Sequence, residues 1–275
     1  MSRFELTVWG ARGSIPAPAA ANQIYGSDTS CVELRCGDRL IFLDAGTGIV
    51  TAGRKLYEER VSDFDILFTH CHLDHIMGLP FLIPLYKDHV SARIFAGHFL
   101  DDTTTCQAMV EGFMCPPYFP VKPKQFAAKI DYRDFRPPQP LDLGDGILVK
   151  TFRLDHPNGA VGYRVEYDGR AICYITDTEH RPGTLDPALV EFIAGAEVMI
   201  YDSTYIDADF ERFVGFGHST WQQGVRLCRA AKVPQLLIYH HDVSRTDDWL
   251  EELAAEAAAE FPGAHVARTG LTIAV

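Results

Sequence analysis

Residues 66–75 read ILFTHCHLDH, and no other segment of the chain predicts as much about its architecture. The first four residues are apolar or β-branched, which predicts a buried strand. His70, His72, Asp74 and His75 follow directly, within one turn of chain. Three imidazoles and a carboxylate at the end of a strand are typical of a metal site, and a polar surface loop is the alternative. The segment therefore predicts a strand that delivers metal ligands.

Length and composition place the chain among ordinary globular proteins. It has 275 residues, of which 47% are hydrophobic and 23% are charged. Such a chain can bury a large core without crosslinks. We expect a single domain over residues 1–275, with a cap or insertion at about residues 98–138, because this part interrupts the regular alternation of strands and helices.

The net charge and the cysteine content limit the classes of partner and the cellular location that we expect. The formal net charge is −12, which repels polyanions and argues against a broad nucleic-acid surface. The seven cysteines form no Cys-x-x-Cys pair, and we find neither a basic, apolar leader nor a long apolar run. We expect a reduced, cytoplasmic protein with no membrane and no extended nucleic acid as a partner.

Apolar and β-branched runs recur along the chain and predict a strand-rich α/β fold. The predicted strands cover residues 4–9, 31–36, 40–44, 65–69, 92–96, 147–154, 161–167, 170–176, 197–201 and 235–239. Helical periodicity covers residues 47–59, 220–231 and 247–260, with Thr246 as an N-cap. On the first helix, Ile49, Leu56 and Tyr57 share an apolar face. Asp168-Gly169 predicts a hairpin turn, and the whole pattern predicts sheets covered by helices.

Four further metal-capable residues each follow a predicted strand. They are His156, Asp177, Asp202 and His240. In layered sheet proteins the chemistry gathers at one set of strand ends. A lone histidine there is usually structural, but the joint placement of the four favours one metal site. His89, His98, His180 and His265 have no such motif and are left out of the site.

These motifs resemble those of the metallo-β-lactamase superfamily, in the branch that contains tRNase Z and the phosphoribosyl cyclic phosphate phosphodiesterases. The resemblance spans nearly the whole chain. It rests on the His70-x-His72-x-Asp74-His75 signature, the turn at residues 44–48, the glycine loop at residues 10–16, and the segments 156–157, 177–178, 202–205, 217–220 and 240–242. Gly217-His218-Ser219-Thr220 is similar to the phosphodiesterase branch rather than to the lactamases.

The resemblance implies an α/β fold, a four-layer αββα sandwich, with two divalent metal ions at the strand ends. His70, His72 and His156 would hold one ion. Asp74, His75 and His240 would hold the other, with Asp177 as the bridge. Nitrogen and oxygen ligands without thiolate suit Zn²⁺ first and also permit Mn²⁺ or Fe²⁺. His241 is the rival of His240, which we prefer because it holds the first position after the strand in the family pattern.

The activity that the resemblance implies is that of a dinuclear metal-dependent hydrolase, a phosphodiesterase on a small cyclic or nucleotide-like phosphodiester. A hydroxide held between the two ions would attack. His218 would act as general acid, Asp202 would orient it, and Asp74 would both ligate and orient the water. The tRNase Z motif has Glu where this chain has Asp202. The alternative role for His218 is that of a helix N-terminal residue.

Other functions stay open at this point. An RNA 3′-processing nuclease and a lactone or thioester hydrolase fit the same fold, and a non-catalytic, metal-dependent metabolite-binding protein is the alternative of another class. The chain lacks the long basic arm of tRNase Z, which favours a small substrate. The aromatic and proline-rich residues 113–120 predict either a cap over the site, a contact in a homodimer, or a packed surface loop.

Supporting residues are expected around the centre. Asp44, in the turn at residues 44–48, is expected to orient the loops on the metal side. Arg12, Arg181 and Arg245 are either phosphate partners or solvated surface charges.

Overall fold

The computed structural model describes residues 2–275 and contains two seven-stranded sheets. The strands in chain order are β1 (Phe4–Gly10), β2 (Cys31–Cys36), β3 (Arg39–Leu43), β4 (Asp63–Phe68), β5 (Ser91–Ala96), β6 (Lys129–Asp134), β7 (Leu141–Gly144), β8 (Ile147–Leu154), β9 (Ala160–Tyr167), β10 (Arg170–Ile175), β11 (Val198–Asp202), β12 (Gln235–Tyr239), β13 (Ala264–Val266) and β14 (Thr272–Ala274). The first sheet has the order β14-β1-β2-β3-β4-β5-β6, and the second β13-β12-β11-β10-β9-β8-β7.

Helices cover the outer face of each sheet. They are α1 (Gly48–Glu58), α2 (Leu73–Ile76), α3 (Cys106–Phe113), α4 (Pro187–Ile193), α5 (Asp207–Phe210), α6 (Trp221–Ala231) and α7 (Asp247–Glu260). Helices α1 and α3 pack on the first sheet, and α4, α6 and α7 pack on the second. Between the sheets lies a third apolar cluster, to which Leu34, Val149 and Tyr163 belong. The predicted four-layer αββα sandwich is confirmed.

The direction of the strands brings the site together. Strands β3, β4 and β5 are parallel neighbours in the first sheet. In the second sheet β10, β11 and β12 are parallel, and β8 runs in the same direction because β9 is antiparallel to both β8 and β10. The carboxyl ends of these strands lie at one edge of each sheet, where loops can carry chemistry.

The ten predicted strands are confirmed within about two residues at each end, as is normal for boundaries read from sequence. The hairpin at Asp168-Gly169 joins β9 to β10, and Thr246 caps α7 by accepting from the Trp249 amide. Four strands lie outside the prediction, namely β6, β7, β13 and β14. Strands β13 and β14 are only three residues long, and β6 carries charges at an edge of the sheet.

The structure differs from the prediction in the apolar face of α1 and in the segment at residues 98–138. Tyr57 is 50% exposed rather than buried, and Ala52 takes its place on the apolar face of α1. Residues 98–138 contain α3 and β6, so part of this segment belongs to the first sheet. Its role as a cap stays a prediction. No helix within residues 2–275 has the length and apolar character needed to cross a membrane.

Candidate metal centre

Three imidazoles meet at the end of β4 and β8. His70 and His72 leave the end of β4, and His156 follows β8. Each offers one ring nitrogen, and these nitrogens all lie within 4.8 Å of one another. His72 Nδ1 lies 3.0 Å from His156 Nε2. The three predicted ligands of the first ion are therefore brought together.

A second group lies beside the first. Asp74, His75, Asp177 and His240 place one ligand atom each within 4.8 Å of one another. His240 Nε2 lies 3.1 Å from Asp74 Oδ2, and His75 Nε2 lies 3.3 Å from the same oxygen. The helix α2 begins one residue before Asp74, so its first turn turns this carboxylate and His75 inward.

Asp177 lies between the two groups. Its Oδ1 is 3.8 Å from His70 Nε2 and 3.7 Å from His156 Nε2. Its Oδ2 is 3.2 Å from His75 Nε2 and 3.4 Å from His240 Nε2. One carboxylate thus turns one oxygen toward each group, which is the arrangement that a bridging ligand needs.

Two of these residues hold an unusual backbone conformation. Asp177 has φ +57° and His240 has φ +62°, and each follows the end of a buried strand. A left-handed backbone costs free energy in a residue other than glycine, and such residues concentrate at functional sites. The sharp turn at the strand end aims both side chains at the same point.

In four of the five imidazoles, all but His72, the Nδ1 atom lies against an oxygen. His75 Nδ1 donates to Asp44 Oδ2 at 2.8 Å, and His156 Nδ1 donates to the Gly217 carbonyl at 2.7 Å. Hydroxyls lie 3.0 Å from the Nδ1 atoms of the other two, that of Thr69 at His70 and that of Thr204 at His240. Such contacts fix the ring and leave Nε2 for a metal.

The chemistry of the donors fits divalent ions. Burial lowers the pKa of His70, His72 and His156, so these rings are neutral acceptors. His70 Nε2 is buried without a hydrogen-bond partner among residues 2–275. His72 Nδ1 and His156 Nε2 face each other at 3.0 Å, and a divalent cation can bind both once the proton shared between them is lost. The residues therefore fit the metal ions that the fold family implies.

Negative charge dominates the second group. Burial opposes ionisation of Asp177, yet His240, His75 and His70 hold the pKa of its carboxyl well below its usual range. Burial likewise lowers the pKa of His75, but Asp177, Asp74 and Asp44 outweigh it and raise that pKa well above its usual value. The field that holds a proton on His75 also attracts a metal cation, which takes the proton's place.

His218 stands at the mouth of the centre. Its Nδ1 donates to Asp202 Oδ2 at 2.8 Å and lies 3.8 Å from Asp177 Oδ1. The side chain is 13% exposed, whereas Asp202 is fully buried. Burial lowers the pKa of His218, but the Asp202 charge and hydrogen bond outweigh it and raise the pKa to about 9. A cationic imidazole at this position can donate a proton at neutral pH.

Two residues at the centre escape the sequence analysis. The Ser14 amide donates to Asp74 Oδ2 at 2.7 Å, so the glycine loop at residues 10–16 reaches the second group. Glu179 Oε2 accepts from the amides of Gly215 and Gly217, at 2.7 and 2.9 Å, and so holds the loop that carries His218. The position of Ser14 in a quoted motif could have pointed to it, but Glu179 has no signal in the sequence.

Three polar residues near the centre make hydrogen bonds elsewhere in the chain. His241 is turned away, and its Nε2 donates to the Ala267 carbonyl at 2.8 Å. His180 Nδ1 lies 2.7 Å from the Ser219 hydroxyl, next to the centre but outside it. Neither interpretation of Arg12 was right, because it is 1% exposed and donates to the Gly26 and Arg245 carbonyls.

The four layers, with histidine and aspartate clusters at the strand ends, define a metal-dependent hydrolase of the metallo-β-lactamase fold. A family model described as the β-lactamase superfamily domain matches residues 39–241. The chain belongs to this family.

Curated relatives carry one recurring name. A protein named Ribonuclease Z from Nocardia farcinica is 25% identical and covers 96% of this chain and 94% of its own. Another Ribonuclease Z, from Thermoplasma acidophilum, is 26% identical and covers 94% and 92%.

Solved structures agree with the fold. The metallo-β-lactamase fold protein YhfI from Bacillus subtilis has a TM-score of 0.74 at 20% identity, over 100% of both chains. The short form of human tRNase Z has a TM-score of 0.67 at 20% identity, over 98% of each chain. A diphosphatase from the PhnP family has a TM-score of 0.70 at 18% identity, over 98% of this chain and 97% of its own.

Proposed function

We propose that the chain is a dinuclear phosphodiesterase that hydrolyses a small cyclic or nucleotide-like phosphodiester. His70, His72 and His156 would hold one divalent ion, Asp74, His75 and His240 would hold the other, and Asp177 would serve both. Zn²⁺ suits these ligands first, and Mn²⁺ and Fe²⁺ are permitted. The ions supply a water of lowered pKa and positive charge for the phosphate. The seven cysteines, all free, support a cytoplasmic location.

The observation that carries the proposal is the His218–Asp202 pair beside Asp177. Because Asp202 occupies Nδ1 of His218 at 2.8 Å, Nε2 is left for the substrate. Hydrolysis joins a water oxygen to phosphorus and breaks the ester P–O bond. The leaving alkoxide takes its proton from His218 Nε2, and Asp74 orients the attacking water. A protein that only binds a metabolite has no use for this proton donor.

The test compares two leaving groups. The leaving alkoxide of a 2′,3′-cyclic nucleotide needs a proton, whereas the nitrophenolate of bis(p-nitrophenyl) phosphate is stable without one. His218→Ala is expected to lower kcat by about 10²–10⁴-fold on the cyclic nucleotide and much less on the nitrophenyl diester. Metal content, measured by atomic emission, should stay at two ions per chain.

His89→Ala is the matched control, since this imidazole is 58% exposed and lies outside the centre. Equal losses on both substrates would remove the acid role of His218. If the metal-loaded wild type turns over neither diester, the phosphodiesterase proposal fails, and lactones and thioesters become the substrates to examine.

The second candidate is an RNA 3′-processing nuclease. The name Ribonuclease Z, shared by relatives that cover nearly the whole chain, supports it at least as well as it supports a small substrate. The net charge of −12 favours the small substrate. Cleavage of a 3′-extended transfer RNA precursor at a kcat/KM above that for cyclic nucleotides would decide for the nuclease.

A further inference from the structure

Three aromatic rings run outward from His218. Tyr205 meets the His218 imidazole edge-on, with ring centres 6.0 Å apart, and stacks on Phe213 at 4.3 Å. Phe213 meets Phe216 edge-on at 6.1 Å. We call Tyr205, Phe213 and Phe216 the aromatic wall. Tyr205 is only 8% exposed, so the series runs from the proposed proton donor through a buried ring to the exposed ring of Phe216, two residues before His218.

The outer end of the aromatic wall is exposed. Phe216 is 62% exposed, and Val214 on the same loop is 52% exposed. Glu179 holds this loop in place through two amides, so the exposure does not come from a loose segment. Large apolar side chains that stay exposed as a group mark a binding surface.

Two other exposed apolar side chains are sequence neighbours of residues at the centre. Leu73, between the ligands His72 and Asp74, is 59% exposed. Ile15, next to the Ser14 amide that donates to Asp74, is 54% exposed. Residues adjacent in sequence to the centre therefore include exposed apolar side chains.

The charge of these segments points the same way. Residues 13–16, 72–75 and 213–218 contain neither lysine nor arginine. Arg212, which directly precedes Phe213, lies over the Phe213 ring at 5.6 Å, and Asp209, at 3.6 Å from Arg212, offsets its charge. A strand of RNA continuing past the scissile phosphate would need cations along its path. The surroundings of His218 suit an uncharged group better.

We propose that the aromatic wall is the subsite for the leaving group, and that the natural leaving alcohol is uncharged and apolar or aromatic. This inference rests on the proposed function and selects its acyclic, nucleotide-like diesters, because a cyclic diester releases no separate alcohol. The group that takes the proton of His218 is the one that leaves, so the surface that adjoins His218 receives it. The bond that breaks is the P–O bond to this alcohol, water supplies the new oxygen on phosphorus, and His218 supplies the alcohol proton.

Methyl benzyl phosphate tests the proposal by internal competition. Its two alcohols have nearly equal acidity, so intrinsic reactivity favours neither. The metal-loaded enzyme is expected to release benzyl alcohol and methyl phosphate over methanol and benzyl phosphate by about tenfold, the preference that partial burial of a phenyl ring gives. Chromatography gives the product ratio, and ¹⁸O-labelled water verifies that the label enters the phosphate.

Phe216→Ala is expected to bring the product ratio close to one. Tyr57→Ala, which removes a 50% exposed aromatic ring on α1, should leave the ratio unchanged. A readout without turnover is calorimetric titration of the metal-loaded protein with the inert analogues dibenzylphosphinate and dimethylphosphinate. The dibenzyl compound should bind more tightly, and only Phe216→Ala should reduce the difference.

Several outcomes would overturn the proposal. One is a wild-type ratio near one or in favour of methanol release, and another is an enzyme that hydrolyses cyclic nucleotides but releases no benzyl alcohol. If Phe216→Ala changes the molecular mass in solution and leaves the ratio unchanged, the aromatic wall is a contact with a second copy instead. Failure to hydrolyse any diester would count against the proposed function, not against the subsite alone.

Discussion

The metal centre and the surface around it reverse the usual distribution of side chains. Asp177, His75 and His240 are buried, with at most 2% of the side chain exposed, whereas Leu73, two residues before His75, and Phe216, two residues before His218, are more than half exposed. Buried polar groups are costly unless they are paired, and exposed apolar groups are costly unless something covers them. In the centre, oxygens of the chain hold the Nδ1 atoms of four imidazoles, while His70 Nε2 is buried without a partner among residues 2–275 and is free for a metal ion. On the surface, the exposed apolar side chains would be covered only when a ligand binds.

The largest effect is expected from breaking the bridge of the centre. In Asp177→Asn the amide nitrogen replaces one of the two carboxylate oxygens that face the histidine groups, so one ion loses a ligand and the centre loses its main negative charge. We expect the metal content to fall below two ions per chain, and kcat to fall by about 10³-fold or more. Atomic emission and the cyclic-nucleotide assay check this. Two tightly held ions in this variant would remove Asp177 as the bridge.

A smaller effect is expected one layer further out, at Asp44. This buried carboxylate accepts from His75 Nδ1 at 2.8 Å, from the Thr69 amide at 2.7 Å and from the Tyr174 hydroxyl at 3.0 Å. Asp44→Asn keeps the shape but removes the charge that supports His75. We expect metal affinity to fall by about 10–100-fold, measured by competition with a chromophoric chelator.

Asp65→Asn is the matched control for Asp44. Asp65 is also a buried carboxylate of the first sheet, but it pairs with Arg39 and Arg93 away from the centre. Its loss should lower the free energy of unfolding and leave the metal affinity unchanged. Equal losses of affinity in both variants would mean that Asp44 acts through general stability.

Glu179 joins the two regions, since one of its oxygens holds the loop that carries both Phe216 and His218. The Gly217 carbonyl on this loop also accepts from His156, so the loop adjoins the metal centre as well. Glu179→Ala is expected to lower kcat on cyclic nucleotides by about tenfold, a typical cost of lost positioning. Glu179→Gln should restore most of it, because the amide oxygen can still accept both N–H groups. If Gln restores nothing, the charge of Glu179 matters rather than its position.

The sequence predicts the centre better than its surroundings, for a physical reason. Metal ligands need particular atoms at particular strand ends. A sequence motif therefore reveals the ligands between His70 and His75 and those that follow β8, β10 and β12. The four-layer sandwich and the bridging role of Asp177 came from the resemblance; the sandwich is confirmed, and the bridging role stays a prediction. The His240 position after its strand separates it from His241, which turns to a backbone carbonyl.

The surroundings are set by contacts that leave no pattern. Glu179 is one acidic residue among 37 in the chain, and only its distance to two amides reveals its position. Arg12 sits in a quoted glycine loop, yet its burial depends on carbonyls that lie far apart in sequence. Short edge strands such as β13 and β14 form because the neighbouring strands offer unpaired backbone groups. Three residues carry too little hydrophobic periodicity for a strand to be predicted from the sequence.

The last prediction concerns stability and not catalysis, at a buried imidazole that the centre does not use. His98 is 2% exposed, and neither of its ring nitrogens has a hydrogen-bond partner among residues 2–275. Burial lowers the pKa of His98 to about 4, with help from His72 and Arg153. The folded state therefore keeps the ring neutral, while the unfolded chain takes up a proton near pH 6.5. Stability from the neutral ring is fully present above that pH and is lost as the pH falls toward 4, by roughly 3 kcal/mol in all.

His98→Leu removes this proton uptake and the two unpaired nitrogens, so the variant should lose less unfolding free energy between pH 7 and 4.5 than the wild type, by roughly 2 kcal/mol. Urea unfolding of the metal-free protein at several pH values measures the difference. His89→Leu, at an exposed imidazole, should leave the slope unchanged. If His98→Leu keeps the wild-type slope, His98 is partnered in solution, and the contrast between the well-held imidazoles of the centre and this one disappears.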